Sequence, residues 1–423
     1  MHTYREAEEY ILNIPRFAGK HTLEDTKKLL GQITGPGLKS KVIHVAGTNG
    51  KGSVCAYLQS LLLEAGFSVG MFTSPHLQTM RERIRINGAM IAEEEFTEAF
   101  ERIKEISKEE EHPSFFEFLF LMAMYCYGKE EPDYIILETG LGGRLDATNT
   151  VDEKEIAVIT HMGLDHTEYL GDTLEKITAE KAGILKKGAP LVYYRTNDKV
   201  SAVLSESAAK LHISTFEVSK KDYTFLKINN KGIDFSYRSL YYDSIRLRLN
   251  TIAAYQMENA ALALRTLEVL LGKEVMTGEV MRQGIEKAFW AGRMEEILPE
   301  VYVDGAHNED GIRAFLETVK EDGCPGNRYL FFGVAQDKQY EHMIEQIALS
   351  GLFMKIFPVQ MKNSRALSGE GLKETILKYT GRYDGGYSSA REALQSLHGM
   401  IGEQDRVYIT GSLYLVGEIK ELL

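Results

Sequence analysis

A chain of 423 residues exceeds what one ordinary core holds and predicts about two or three domains. With 44% hydrophobic and 26% charged residues it reads as a soluble globular protein, and a formal net charge of −12 argues against a broad nucleic-acid surface. Three widely spaced cysteines (Cys55, Cys126 and Cys324) form no C-x-x-C pair, which excludes a zinc or redox couple of that kind and points to a reducing cytoplasm.

The N-terminal "MHTYREAEEYILNIPRF" has no apolar core flanked by basic residues, so a signal peptide is not expected. "KVIHVAG" is a short apolar run ending in a glycine loop, and "SVCAYLQSLLLEAG" then repeats apolar residues at helical spacing, giving strand, loop and helix in succession. "FSVGMFTSP", "PDYIILETG", "EIAVITHMG" and "APLVYY" read as further short strands. Helical stretches such as "EEEFTEAFERIKEISKEEE" and "DTLEKITAEKAGILKKG" separate several of them. "FFEFLFLMAMYCY", interrupted by Glu117, is shorter than the roughly 20 residues that span a bilayer and reads as a buried helix, so no membrane partner is expected. From about Thr215 to Leu249 apolar and polar residues alternate around an Asn-Lys-Gly turn, predicting antiparallel hairpins. From about Ile297 a second alternation begins, with "EVYVDGAHN", "RYLFFGV", "LFMKIFPV" and "RVYITG" as strands. The fold class is therefore α/β: a mostly parallel sheet covered by helices with a small antiparallel subregion, then a smaller Rossmann-like domain. The boundary falls between residues 1–296 and 297–423, and a junction between two open sheets is a natural ligand cleft.

"GTNGKGS", Gly47 to Ser53, departs from the common phosphate-loop pattern, because Gly52 follows Lys51 and the hydroxyl arrives one place late. Three glycines still allow a tight turn whose amides face phosphate oxygens, with Lys51 as a point charge at a helix N-terminus. Ser74 ends the second strand and is either a Mg²⁺ ligand or the start of a Ser-Pro turn. Arg81, Arg83 and Arg85 form either a solvated edge strand or a carboxylate-capturing group. Glu138 terminates a buried strand, where a carboxylate is unfavourable unless it meets a cation such as Mg²⁺ or caps a helix. The glycines after it predict a mobile loop carrying Arg144 and Asp146. His161 and His166 read as packed histidines or, for His166, as part of a magnesium site, and Lys181 by default as a surface lysine.

In order along the chain, "HVAGTNGKGS", "FTSPHL", "ETGLGGRLDATN", "GLDHTEYLG", "EKAGI", "GRME", "DGAHN" and "ITGSLYL" resemble the folylpolyglutamate synthase/dihydrofolate synthase family of the Mur ligase superfamily, from Val45 to Leu415. The resemblance makes the late serine part of this lineage's own loop. It implies that Asn49, Gly50, Lys51, Gly52 and Ser53 cradle the phosphates of ATP. Ser74 and Glu138 would then hold one Mg²⁺, with Glu138 and His166 at a second. Lys181 matches a lysine that carries a carbamate, and the chemistry leaves room for a monovalent cation. Asn259, Arg293, Asp304 and His307 match positions around the nucleotide, although relatives often read His-Gln where this chain has Tyr255-Gln256.

The implied reaction is attack of a substrate carboxylate on the γ-phosphate of ATP. The amino group of L-glutamate then attacks the acyl phosphate, with His307 as a candidate base. Domain closure would bring Arg293, Asp304 and His307 onto the nucleotide and exclude water. Arg83, Arg144 and Asp146 are the candidate acceptor-binding residues, and Asp146 either accepts paired N–H donors of a pterin or caps its own turn. The expectation is a monomeric, bifunctional enzyme using dihydropteroate and reduced folates. A folylpolyglutamate synthase alone is the alternative. A Mur-type cell-wall ligase is disfavoured, since only about 40 residues precede the loop. A guanine-nucleotide switch is disfavoured because the nearest [NT]-K-x-D sequence, "SKKD" at Ser219 to Asp222, lies in the hairpin region.

Overall fold

The computed structural model describes residues 2–15, 21–35, 37–107, 112–229, 232–336, 338–362, 365–397, 399 and 402–423. The chain divides into two compact units. One comprises residues 1–225, 235–248 and 257–289; the other comprises residues 226–234, 249–256 and 290–423.

The first unit is built on strands β1 (Lys41–Ala46), β2 (Val69–Phe72), β3 (Ile84–Ile86), β4 (Ala89–Met90), β5 (Tyr134–Glu138), β6 (Ile156–Ile159), β7 (Leu191–Tyr194) and β8 (Thr215–Val218). They form one sheet in the order β4-β3-β2-β5-β1-β6-β7-β8. From β2 to β8 every pair is parallel, while β3 and β4 add an antiparallel edge. The inner strands are apolar on both faces because helices cover both. Of these, Phe115–Glu130 buries Phe118 to Met124 without a break, which is why its sequence is apolar all round. Register sets the site: Val45 lies opposite Glu138 and Ala46 opposite Ile159, so β1, β5 and β6 end together at one edge of the sheet.

Strands β9 (Tyr223–Asn229), β10 (Gly232–Tyr237) and β11 (Ile245–Leu249) make a three-stranded sheet. Asn230 and Lys231 of the expected Asn-Lys-Gly turn lie outside the described residues. The second unit holds β12 (Glu295–Leu298), β13 (Val301–Val303), β14 (Arg328–Phe332), β15 (Lys355–Pro358) and β16 (Arg406–Thr410), ordered β12-β13-β16-β14-β15. Its pairs are parallel except β12 with β13. Strand β12 was not anticipated, because its residues alternate between half-buried and exposed and present no apolar run. The core gathers Ile312, Phe315, Phe332 and Tyr408. Among the described residues no helix is long and apolar enough to cross a membrane.

Gly70 on β2 faces the buried ring of Tyr127, and a Cβ there would stand 2.8 Å from Cδ1. Gly70→Ala is expected to destabilise the fold by about 1–3 kcal/mol through overpacking. The readout is a lower urea midpoint with an unchanged m value. A midpoint equal to that of the parent would mean that the ring moves aside freely.

Candidate functional site

The glycine loop leaves β1 at Gly47 and enters the helix Lys51–Glu64 at Gly50. Both glycines have positive φ, 154° and 87°. A Cβ on Gly47 would lie 1.8 Å from Thr160 Oγ1, and one on Gly50 would lie 2.3 Å from Asn259 Oδ1, so neither position admits a side chain. No side chain caps the helix, which leaves its N-terminal amides as donors for an anion. The loop is shaped by residues that follow β6. The amides of Thr48 and Asn49 donate to the His161 carbonyl at 2.9 and 3.2 Å, Thr160 Oγ1 donates to the Asn49 carbonyl at 2.7 Å, and Thr48 Oγ1 donates to the Gly163 carbonyl at 3.0 Å. Thr160 carried no sequence motif of its own. Asn49, Gly50, Lys51, Gly52 and Ser53 are thus brought together on one turn, with Asn259 packed over Gly50.

Lys51 Nζ donates to the carbonyls of Gly47 and Thr48, both at 3.2 Å. Lys181 Nζ donates to the same Gly47 carbonyl at 2.7 Å. The default sequence reading of Lys181 as a surface residue is therefore corrected: its side chain is buried against the loop. Burial, and then the Lys51 charge, bring its pKa down to about 7, with Asp165 and Asp146 acting in the opposite direction. A large fraction is a neutral amine near neutral pH, the form that adds CO₂.

Glu138 ends β5 and is buried, and its Oε2 accepts from the amide of Ser74 at 2.9 Å. Its charge, after burial itself, helps push the Cys55 thiol up, so the carboxylate acts close to the first turns of the loop helix. A serine hydroxyl and a carboxylate at adjacent strand ends beside a phosphate loop are hard oxygen donors. Such a pair fits Mg²⁺, which completes its shell with water and phosphate oxygens. His166 stands apart in character. Its φ is 50°, its side chain is exposed, and its Nε2 lies 4.0 Å from Asp165 Oδ2. Among the described residues no group of three or more His, Cys, Asp and Glu side chains is gathered as a metal site. His161 instead sits 3.0 Å from Glu258 and stacks on Tyr194.

The loop after Glu138 is fastened, contrary to the mobility expected from its glycines. Arg144 donates through its amide to the Glu180 carbonyl at 2.8 Å and through its guanidinium to the Glu180 carboxylate at 2.9 Å. A Cβ on Gly143 would meet the carbonyls of Glu180 and Lys181 at 2.9 Å, and one on Gly183 would meet Arg144 Cβ at 2.3 Å. The glycines serve close packing against the helix Leu174–Ala182 that carries Lys181. Asp146 is buried. Its Oδ1 accepts from the amide and hydroxyl of Thr148, and its Oδ2 accepts from the amides of Gly140 and Leu141, both at 2.9 Å. This is the turn-capping role that the sequence left open beside ligand recognition.

Of the three arginines, Arg81 and Arg85 donate to backbone carbonyls of Ile91 and Gly88. Arg83 is buried over the ring of Phe115 and donates to His76 Nδ1 at 2.8 Å. Burial, then Arg83, hold His76 down to about 4, so it is a neutral acceptor.

In the second unit Asp304 is buried and accepts from the amides of Met294 and Ala306, both at 2.9 Å, and from the Tyr255 hydroxyl. Tyr255 thus has a defined partner. Burial raises the Asp304 pKa against the opposing Arg293 charge. Arg293 donates to the Gly292 carbonyl at 2.9 Å and leaves no room for a Cβ on Gly305. His307 Nδ1 lies 2.8 Å from the Gly305 carbonyl, an acceptor, so Nδ1 carries the proton and Nε2 is the basic nitrogen.

The chain matches the family model for the Mur ligase middle domain over residues 45–267 and that for the Mur ligase, glutamate ligase domain, over residues 292–413. It is 34% identical to the dihydrofolate synthase/folylpolyglutamate synthase of Bacillus subtilis, over 99% of both chains. It is 29% identical to the folylpolyglutamate synthase of Lacticaseibacillus casei, over 99% of this chain and 98% of that one. Among solved structures it resembles E. coli FolC in complex with DHPP and ADP, with a TM-score of 0.86, 26% identity and coverage of 100% and 97% of the two chains. It also resembles Mycobacterium tuberculosis folylpolyglutamate synthase complexed with ADP, with a TM-score of 0.88, 27% identity and coverage of 99% and 98%. A glycine loop shaped for phosphate, a glutamate-ligase domain after it and full-length likeness on both scales agree: this chain belongs to the folylpolyglutamate synthase/dihydrofolate synthase family of Mur ligases, ATP-dependent enzymes that form amide bonds.

Proposed function

We propose that the chain joins L-glutamate to the carboxylate of dihydropteroate and of reduced folates through an acyl phosphate. The observation that carries this reading is the convergence of Lys51 and Lys181 on the Gly47 carbonyl at the phosphate loop. Support for two acceptors comes from full-length bacterial relatives whose names join dihydrofolate synthase to folylpolyglutamate synthase.

The acceptor carboxylate attacks the γ-phosphorus and ADP leaves; the glutamate amine then attacks the acyl carbon and phosphate leaves. The amides at the helix start and Lys51 hold the phosphates and offset charge on the transferring group. Ser74 and Glu138 would hold Mg²⁺, with His166 proposed near a second ion. Bound there, the metal supplies charge neutralisation for phosphoryl transfer. Lys181, as a carbamate, would turn an amine donor beside the loop into an anionic oxygen acceptor. Residues 1–296 are proposed as the ATP-binding part and 297–423 as the glutamate-ligase part. Arg293, just before that boundary, and Asp304 within the latter part serve the nucleotide, and His307 Nε2 accepts the proton of the glutamate ammonium. Arg83 and Arg144 are proposed to meet the acceptor. At Asp146, two N–H groups of a pterin would exchange for the Gly140 and Leu141 amides on Oδ2.

Glutamate-dependent ADP release should be seen with dihydropteroate and with tetrahydrofolate, and not with a UDP-muramyl acceptor. Activity on tetrahydrofolate alone would leave a folylpolyglutamate synthase only. Lys51→Ala should fold normally and lose about 100-fold or more in turnover, and near-parental turnover would remove Lys51 from phosphoryl transfer.

Lys181→Ala should lose activity, with partial return on adding a short carboxylic acid. In the parent enzyme CO₂ dependence should follow the neutral amine: it is weak below pH 7, where Lys181 is an ammonium, and grows as pH rises through about 7. Mass spectra and activity insensitive to bicarbonate across that range would refute the carbamate. Asp146→Ala should weaken use of dihydropteroate more than of tetrahydrofolate, by about 1.5–3 kcal/mol, as measured by the two kcat/KM values. Equal losses on both would leave Asp146 as a turn cap.

A further inference from the structure

A fully buried histidine stands on the strand that feeds the phosphate loop. His44 on β1 has no solvent exposure, three residues before Gly47, at a position where the neighbours Ile43 and Val45 are apolar. Its Nε2 lies 2.7 Å from Thr148 Oγ1, and that hydroxyl donates to Asp146 Oδ1. A hydroxyl has one hydrogen. Since Thr148 gives it to the carboxylate, the His44–Thr148 bond must use the proton on His44 Nε2. That leaves Nδ1 bare, and it finds no hydrogen-bond partner among the described residues. A buried polar atom without a partner is unfavourable, and an apolar side chain would avoid it. What the histidine supplies at this position is the Nε2 hydrogen bond.

We propose that His44 and Thr148 are positioning residues for the acceptor: the chain from His44 Nε2 through the Thr148 hydroxyl anchors Asp146 by Oδ1 and leaves Oδ2 as the edge that exchanges partners. The two oxygens differ in this respect. Oδ1 is bound from within the turn Ala147–Thr150, by the amide and hydroxyl of Thr148. Oδ2 is bound by two amides of the preceding glycine loop. The turn itself is held from a second side by Asn149, whose side-chain Nδ2 donates to the carbonyls of Arg144 and Gly183, and whose Oδ1 accepts from Lys154 at 2.7 Å. Burial keeps His44 neutral, and the charges of Lys154 and Lys186 act in the same sense, so it remains a single-proton donor at working pH. The strand that ends in the phosphate loop is thereby tied through two hydrogen bonds to the carboxylate of the acceptor loop. The assignment rests on the reading of Asp146 as acceptor-facing.

The test is steady-state kinetics of the full chain, with dihydropteroate and ATP varied separately. Thr148→Val keeps the shape of the side chain and removes the hydroxyl. It should raise the dihydropteroate KM roughly tenfold while the ATP KM stays within about twofold. Thr148→Ser restores the hydroxyl and should return the dihydropteroate KM to within about twofold of the parent. His44→Met should follow Thr148→Val, whereas His44→Gln, whose side-chain amide offers a donor near the place of Nε2, should keep most of the parental KM. Loss of folded enzyme lowers turnover per mole without raising KM, so instability does not imitate the result. A dihydropteroate KM unchanged in Thr148→Val but raised in Asp146→Ala would overturn the anchor and leave Asp146 its role. An unchanged KM in Asp146→Ala as well would overturn the reading beneath it. A parallel rise of the ATP KM would overturn the anchor in favour of general damage to the loop strand.

Discussion

One backbone carbonyl, that of Gly47, accepts hydrogen bonds from two lysines, Lys51 from the loop's own helix and Lys181 from a helix more than a hundred residues later. Two ammonium groups so close repel each other, and burial penalises the Lys181 charge. Part of the burden is removed by Lys181 shedding its proton near neutrality. The rest of the site is arranged around that carbonyl. Gly47 must be glycine because Thr160 occupies the space of a Cβ, and Thr160 is there because β6 runs parallel to β1 with Ala46 opposite Ile159. The loop's geometry is therefore a property of the neighbouring strand as much as of its own sequence.

The same economy of space governs the loop after Glu138. Gly143 and Gly183 allow the backbone after Glu138 to lie directly on the end of the Lys181 helix, and Arg144 closes the contact onto Glu180. Glycine here provides closeness rather than mobility. With that contact made, the carboxylate of Asp146 is drawn inward and fully hydrogen-bonded, and the turn Ala147–Thr150 reaches β1 on one side and Gly183 on the other.

In the second unit Asp304 is another buried carboxylate, and its surroundings solve the same problem differently. Two amides and the Tyr255 hydroxyl satisfy it, and the Arg293 charge opposes, without cancelling, the effect of its burial. The neighbouring His307 is left with its Nδ1 committed to a carbonyl, which fixes the tautomer and places the basic nitrogen at Nε2.

The α/β alternation, the buried character of Phe115–Glu130, the glycine loop and the ends of the strands that carry Ser74 and Glu138 were legible in the sequence, because each follows from local periodicity or from a contiguous motif. The half-exposed β12 was not, since an edge strand with polar faces leaves no periodic apolar signal. Nor were the burial of Lys181, the hydrogen bonds of Thr160 and His44, or the fastening of the glycine-rich loop. A lysine on a helix looks solvated until the partner element is known, and Lys181 is buried only because Gly183 and Gly143 bring that helix against the loop. Sequence alone determined which chemistry-bearing residue types exist and on which kind of element. Tertiary structure decided which of them lose water and which share an acceptor, because desolvation and hydrogen-bond pairing depend on residues that register and packing bring together across distances the chain does not encode locally.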